Sequence, residues 1–318
     1  MIHWGIVGPG VIANAFAKGM FGCKDANLLA VASSDQLRAE TFARQYNVPH
    51  WFSSYEQLFS LKEIDVVYIA NLNPQHEATI RQALLHDKHV LCEKPLTLNS
   101  EQSRELFSIA EKRGLFLMEA YWTACLPTYR KAKQWIERGL IGQLKSIQVS
   151  FCFKAEYHPQ SRLFNKELGG GALYDLGIYG IGLALDFFSA YPKHIDTEIQ
   201  YAESGVDQYA NLLLDFGDSR FAQLEFGFTE DKEQNALILG TENTLILPDF
   251  WHGTEIIRMQ HNNKILESQT YPHAINGYEY EIQEVCNCIK SGQLTSLLVP
   301  PQMTIHVAQL IKEVLSLA

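Results

Sequence analysis

The sequence predicts an α/β protein in two parts: a doubly wound parallel sheet, then an α+β domain with a large, mainly antiparallel, open-faced sheet. Three observations carry this expectation. Residues 1–120 alternate apolar strand-like runs with helical periodicity, which calls for parallel strands joined by crossover helices. Beyond about residue 140 the period changes to two, in consecutive strands with few helices between them. The first strand also runs straight into a glycine-rich turn.

That turn reads Gly8, Pro9, Gly10, Val11, Ile12, Ala13, after a buried strand over 2–7 and before a short helix over 14–20. In a G-x-G-x-x-G/A loop the first glycine permits the tight turn, and the second lets a phosphate approach the backbone N–H groups of the helix N-terminus. Ala13 takes the place of the third glycine, as the fingerprint allows. The first 120 residues therefore read as a dinucleotide-binding Rossmann domain. Its further strands are expected over 27–33, 64–70, 89–92 and 115–119, and its helices over 35–46, 75–85 and 100–113. Ser54 with Gln57 and Asn99 with Gln102 have capping-box spacing, and Gly114 is placed to end a helix.

A helix over 127–138 closed by Gly139 leads into strands at 144–153, 209–216, 221–228, 236–240 and 244–247. One glycine-rich helix over 171–188 interrupts the series, and helices over 278–289 and 302–317 close the chain. Residues 121–318 are read as a substrate-binding and oligomerisation domain, its last helix a candidate to pack back on the first.

Bulk properties narrow the function. The 318 residues are 47% hydrophobic and 19% charged, with a formal net charge of -10, which gives no basic footprint for nucleic acid or an anionic membrane. No apolar run is expected to reach the roughly 20 residues of a membrane span, and a glycine loop starting at position 8 leaves no room for a signal peptide. The six cysteines are scattered, as in a reducing compartment, and the eleven histidines include no H-x-x-x-H pair. A cytoplasmic protein without a metal is expected.

A dinucleotide with a 2′-hydroxyl usually meets a carboxylate about 20 residues past the glycine loop. Here Ser33 and Ser34 stand at that strand end, with Arg38 in the next helix turn. Hydroxyls and a guanidinium suit a 2′-phosphate, so NADP is expected over NAD. Asp35 reads either as a helix N-cap or as a displaced ribose ligand.

Cys92, Glu93, Lys94, Pro95 follow the fourth main strand, so Lys94 projects toward the nicotinamide end of a cofactor held at Gly8. This Glu-Lys-Pro step resembles the Gfo/Idh/MocA oxidoreductase family, and the similarity runs through most of the chain. It includes 70–76 (Ala, Asn, Leu, Asn, Pro, Gln, His), 119–123, Ser161 to Phe164, 169–179 and 277–281. Those motifs look like the branch containing dimeric dihydrodiol dehydrogenases and NADP-dependent xylose dehydrogenases. The resemblance implies cofactor contacts at Gly8, Pro9, Gly10, Val11, Ile12, Asn71, Asn73, Glu93, Lys94 and Trp122, with His76 near the site. Where the branch shows Trp-Thr-Arg-Phe, this chain has Trp122, Thr123, Ala124, Cys125, so a guanidinium beside the site is lost and the named substrates do not transfer.

Asp175 and Tyr179 are four apart and are expected on one helix face, with Gly177 and Gly180 allowing another backbone or a ligand to come close. A Tyr179 phenolate stabilised by Lys94 would serve as the base that removes a carbinol proton as hydride leaves. Asp175 then orients Lys94 or bonds a substrate hydroxyl, and Arg162 contacts substrate or braces the loop before the glycines. Each has a plainer alternative: Tyr179 as core, Asp175 as a structural residue, Lys94 as a surface ion-pair partner, His76 as a cap. The expected activity is hydride transfer between nicotinamide and a secondary alcohol or carbonyl of a sugar, polyol or cyclic diol; the alternative is a non-catalytic NAD(P)-binding regulator of the same fold. Apolar residues on both faces of the later strands, among them Phe151, Phe153, Leu212, Leu214, Phe226 and Phe228, predict a homodimer, or a tetramer built from it, through the C-terminal sheet.

Overall fold

A computed structural model describes residues 1–317. The chain divides into two compact units, Met1–Cys125 with His273–Ile305, and Leu126–Pro272 with the residues from His306 onward.

The first unit holds β1 (Ile2–Val7), α1 (Val11–Gly19), β2 (Ala26–Ala32), α2 (Gln36–Tyr46), β3 (His50–Phe52), α3 (Tyr55–Phe59), β4 (Val66–Ile69), α4 (His76–Leu85), β5 (His89–Glu93), α5 (Ser100–Arg113) and β6 (Leu117–Ala120). Its sheet has the order β3-β2-β1-β4-β5-β6 with every pair parallel, the doubly wound arrangement expected. Strands buried on both faces need apolar residues throughout, and β4 is buried at all four positions. Val7, Ile69, Val90 and Cys92 from the strands pack with Ile80 and Leu106 from α4 and α5. Asn99 caps α5 by accepting the Glu101 N–H at 2.8 Å, and Gly114 ends it at φ 68°. Ser54 stands at the N-cap of α3 without a side-chain bond, so that expected capping box does not form.

The second unit opens with α6 (Pro127–Glu137) and β7 (Leu144–Cys152). A π-helical turn over Leu173–Gly177 leads into α7 (Ile178–Phe188). There follow β8 (His194–Tyr201), β9 (Asp207–Gly217), β10 (Arg220–Gly227), β11 (Ala236–Gly240), β12 (Asn243–Leu247), β13 (Glu255–Gln260) and β14 (Ile265–Thr270). Eight strands form one sheet in the order β14-β13-β12-β11-β7-β10-β9-β8, antiparallel except where β7 meets β10. The strands of this sheet absent from the sequence reading, β8, β13 and β14, lie toward its two edges, where partial exposure weakens the apolar alternation; β3, at an edge of the first sheet, was absent too. Helix α8 (Tyr278–Lys290) belongs to the first unit, and α9 (Pro301–Leu317) is divided after Ile305.

The apolar residues expected on both faces of this sheet fall on one. Phe151 pairs with Phe226 across the parallel β7–β10 ladder, and Leu212 pairs with Leu224, so parity in sequence is not parity in space. Phe151, Leu212, Leu214, Phe226 and Phe228 are all buried, while Phe153 packs its ring on Phe228 at 5.4 Å. The opposite face carries Gln148, Gln223, Asn211 and half-exposed Leu213. Helix α7 lies on the buried side: a Cβ at Gly180 would come within 2.8 Å of the Phe226 ring. The glycines at 177 and 180 therefore admit a sheet side chain, and not the backbone or ligand anticipated. The stretch Lys166–Phe188 is also apolar and long enough, by length and composition, to cross a membrane, contrary to the expectation of no such run. Its most apolar window is 78% buried inside the unit, because its hydrophobicity serves this sheet.

Candidate active site

In the first unit, the turn from β1 to α1 has the form an anion needs. Gly8 sits at φ +84°, and a Cβ there would lie 2.8 Å from the carbonyl oxygen of Ala70 and the N of Asn71. Gly10 has only the Gly8 carbonyl near such a carbon, at 4.0 Å, so the space above it is open. The N-cap of α1 is Gly10, without a side-chain cap, and Val11 beside it is 92% exposed. Helix N–H groups without a side-chain acceptor, next to a face kept clear by glycine, fit a pyrophosphate. Asn71 adds a buried Oδ1 without a hydrogen-bond partner, while its Nδ2 donates to Thr79 at 2.9 Å. These residues fit a dinucleotide.

The two serines at the end of β2 differ in direction. Ser33 is buried and its Oγ accepts the Asp35 N–H at 3.1 Å, whereas Ser34 is exposed. Asp35 is the N-cap of α2 and accepts from the Arg38 N–H at 3.1 Å. Of the residues predicted to meet a 2′-phosphate, Ser34 and Arg38 face solvent.

Lys94 lies just past β5, half-buried, and its ammonium is among the charges acting on Glu119. The backbone around it is held on both sides. Glu119 accepts the Leu96 N–H at 2.7 Å and the Thr304 hydroxyl at 2.8 Å; burial raises its pKa, and these bonds and Lys94 oppose the rise. Glu93 accepts from the Tyr68 hydroxyl at 2.5 Å and from the Lys94 N–H at 3.2 Å, and the Lys94–Pro95 peptide is cis. His76 is fully buried, with Nδ1 2.8 Å from the Pro95 carbonyl and Nε2 3.2 Å from that of Asn71. Burial lowers its pKa against the pull of both carbonyls. A neutral imidazole has one N–H to donate, and the shorter contact is to Pro95, so the ring sits between the Asn71 loop and the residue after Lys94.

Glu281 of α8 is wholly buried, with both carboxyl oxygens without hydrogen-bond partners. Burial, then the charge of Glu93, pushes its pKa well above the usual carboxylate value. Trp122 stacks on Tyr278, at the start of α8, with centroids 4.4 Å apart. Ala124 and Cys125, the departure from the branch pattern, are both buried. Glu281 and Tyr68 were not singled out in the sequence; a charged residue at a core-facing helix position was the available signal.

In the second unit, Asp175 is held by Arg162 through two bonds, Nη1 to Oδ1 at 2.8 Å and Nη2 to Oδ2 at 3.2 Å. This fork geometry fixes the carboxylate plane. Tyr179 is buried among aromatic rings, with Phe151 at 5.7 Å and Trp251 at 6.1 Å between centroids. Trp251 gave no signal in the sequence. Asp175 and Tyr179 were expected on one regular helix, but Asp175 lies in the π-helical turn and Tyr179 in α7. Single π turns recur at functional sites, where the extra residue re-aims side chains.

A Rossmann sheet with an open anion turn and a lysine at a strand end fits a dinucleotide-binding protein, and comparison with known proteins supplies the class, an oxidoreductase. The model of an oxidoreductase family with an NAD-binding Rossmann fold matches residues 2–121, and that of a GFO/IDH/MocA C-terminal domain matches 129–246. Trans-1,2-dihydrobenzene-1,2-diol dehydrogenase of Xenopus tropicalis is 32% identical, over 98% of this chain and 96% of its own. A 3-ketoreductase from Actinomadura kijaniata, solved with NADP and TDP-benzene, is 26% identical with a TM-score of 0.84, covering 99% of this chain and 97% of its own. Aldose-aldose oxidoreductase from Caulobacter crescentus shares the fold at a TM-score of 0.90 and 20% identity, over 99% of this chain and 96% of its own. The chain belongs to the Gfo/Idh/MocA family of NAD(P)-binding oxidoreductases.

Proposed function

We propose that the protein is an NADP-preferring dehydrogenase or reductase that interconverts a secondary alcohol and its carbonyl on a sugar, polyol or cyclic diol. The observation that carries this reading is Lys94 at the C-terminal end of β5, in the sheet whose β1–α1 turn fits a pyrophosphate. The names of the relatives, a diol dehydrogenase and a 3-ketoreductase, support the substrate class.

When bound, the nicotinamide supplies or accepts the hydride. In the first unit the Lys94 ammonium is the group that donates to a substrate oxygen as negative charge develops; in the second, Tyr179, as phenolate, is the group that accepts a hydroxyl proton in the oxidative direction. Asp175, its plane set by Arg162, accepts a hydrogen bond from a neighbouring hydroxyl. His76 serves as a brace, since its buried ring lies against the carbonyls of Pro95 and Asn71 and donates its one N–H there. Exposed Ser34 and Arg38 favour the 2′-phosphate of NADP. Assay of NADP reduction and NADPH oxidation across aldoses, inososes, dicarbonyls and trans-diols tests the reading; no turnover with any of them, in either direction, would overturn it.

The protein is further proposed to be a cytoplasmic homodimer. Its six cysteines are free thiols, which suits a reducing compartment. The outward face of the eight-stranded sheet carries Leu213, 43% exposed, and Phe221, 38% exposed, among polar neighbours. Leu213→Asp should shift the sedimentation profile from dimer to monomer, and a wild-type monomer at low micromolar concentration would refute the assembly.

A further inference from the structure

The second unit contains a buried carboxylate, Asp207, that bonds the backbone at the start of the segment bearing Asp175 and Tyr179. Asp207 is the first residue of β9 and is 3% exposed. Its Oδ2 accepts the backbone N–H of Leu173 at 2.6 Å, across 34 residues of chain. Leu173 is the first residue of the π-helical turn. The N–H of Ala172, one residue earlier, also acts on this carboxylate. No local side chain caps that helical start, so an acceptor from a distant strand takes the part an N-cap residue would play.

The sequence makes room for this contact. Gly171 stands at φ +127°, and a Cβ there would lie 2.3 Å from Asp207 Oδ1. Gly170 is closed in by the carbonyls of Leu163, Arg162 and Asn165, the nearest 2.6 Å from such a carbon. The Gly171 N–H donates to the Leu163 carbonyl at 3.0 Å. The loop that carries Arg162 and the helix start that leads to Asp175 are therefore knotted at the same glycines, and Asp207 closes the knot.

We infer that Asp207 is a positioning residue for the reaction: its carboxylate fixes the start and register of the π turn, and through it the placement of Asp175 and Tyr179. A π turn accommodates one residue more per turn than an α-helix, so loss of its anchor lets the segment relax toward regular α-helix and rotates the two side chains. Burial pushes the Asp207 pKa up to about 7 against the lowering effect of the Leu173, Asp207 and Ala172 N–H groups. The titratable neighbour that its charge acts on is Tyr174, pushed up first by its own burial. A charged acceptor and a neutral one thus differ in strength where the enzyme works.

The inference rests on the proposed role of Tyr179, and a double-mutant cycle separates the two. Asp207→Asn keeps the volume and one acceptor oxygen while removing the charge. It should lower kcat about fivefold, with KM for NADP unchanged because that cofactor binds the other unit's turn. In a Tyr179→Phe background the same change should cost less than twofold further. Asp207→Asn at wild-type kcat, or a full fivefold loss added to that of Tyr179→Phe, overturns the inference. A Tyr179→Phe variant with native turnover instead overturns the reading it rests on. Should Asp207→Asn not fold, the wild-type Leu173 amide proton decides: a pH-dependent downfield shift with a midpoint near about 7 is expected, and a flat profile overturns the contact.

Discussion

The two units hold their chemistry in different ways. In the first, the candidate residues stand at the C-terminal ends of neighbouring parallel strands, and short contacts within a few residues of Lys94 fix them: Glu93 to its own neighbour's N–H, Glu119 to Leu96, His76 to Pro95. In the second, Asp175 and Tyr179 ride on a helix whose start depends on partners 13 and 34 residues away, Arg162 and Asp207. A strand end in a doubly wound sheet is positioned by the sheet itself. A helix laid across an open sheet needs tertiary anchors, and glycines at 170, 171 and 180 to admit them.

If both units contribute proton-handling groups, the largest effects come from their removal. Lys94→Ala and Tyr179→Phe should each lower kcat by roughly 100-fold while the dissociation constant for NADP changes little, as for general acid–base groups. Single-turnover absorbance of the nicotinamide and cofactor titration check this. A near-native Tyr179→Phe would leave the first unit alone responsible for the proton and break the comparison.

A smaller effect sharpens the first unit's part. Arg38 and Ser34 are exposed beside the β2 end, whereas Ser33 is buried and committed to the Asp35 N–H. Arg38→Ala should weaken NADP binding about tenfold and NAD binding less than twofold, because one charge-assisted phosphate contact is lost. Ser34→Asp should move the preference toward NAD by like-charge repulsion. Equal losses for both cofactors on titration would show that Arg38 does not read the 2′-phosphate.

How much of this was legible in sequence follows the same division. The Rossmann strands other than the short edge strand β3 were readable because burial on both faces leaves continuous apolar runs, and the place of Lys94 at a strand end because that motif is local. Ser33 and Ser34 could not be told apart, since only the backbone decides which hydroxyl turns inward. Strands β8 and β14, at the edges, and β13 beside β14 escaped because partly exposed strands need not be apolar. The face assignment of Leu212 and Leu214 failed because register is set by pairing across strands and not by residue parity. Asp175 and Tyr179 were expected on one regular helix, but the π turn that holds Asp175 has no sequence signature, and Asp207, which accepts the Leu173 N–H, is too distant for any local pattern.

The units also bury their carboxyl groups differently, and the smallest effect tests that. Asp207 has helix N–H groups to accept, whereas both oxygens of Glu281 lack partners and face the charge of Glu93. Burial raises the Glu281 pKa in the folded state above its unfolded value. The folded state therefore holds a proton that the unfolded state has released, and stability falls as pH rises through and beyond the ordinary glutamate range. At low pH both states are neutral and the cost vanishes. Glu281→Gln is neutral at every pH, so it should raise Tm by about 2–4 °C at roughly pH 8, the effect of about 1 kcal/mol in a chain of this size, and leave Tm nearly unchanged at about pH 4. Differential scanning fluorimetry at the two pH values checks this. A Tm that drops equally at both would mean that Glu281 has a partner to lose, and that the first unit, like the second, stabilises its buried acid by hydrogen bonding.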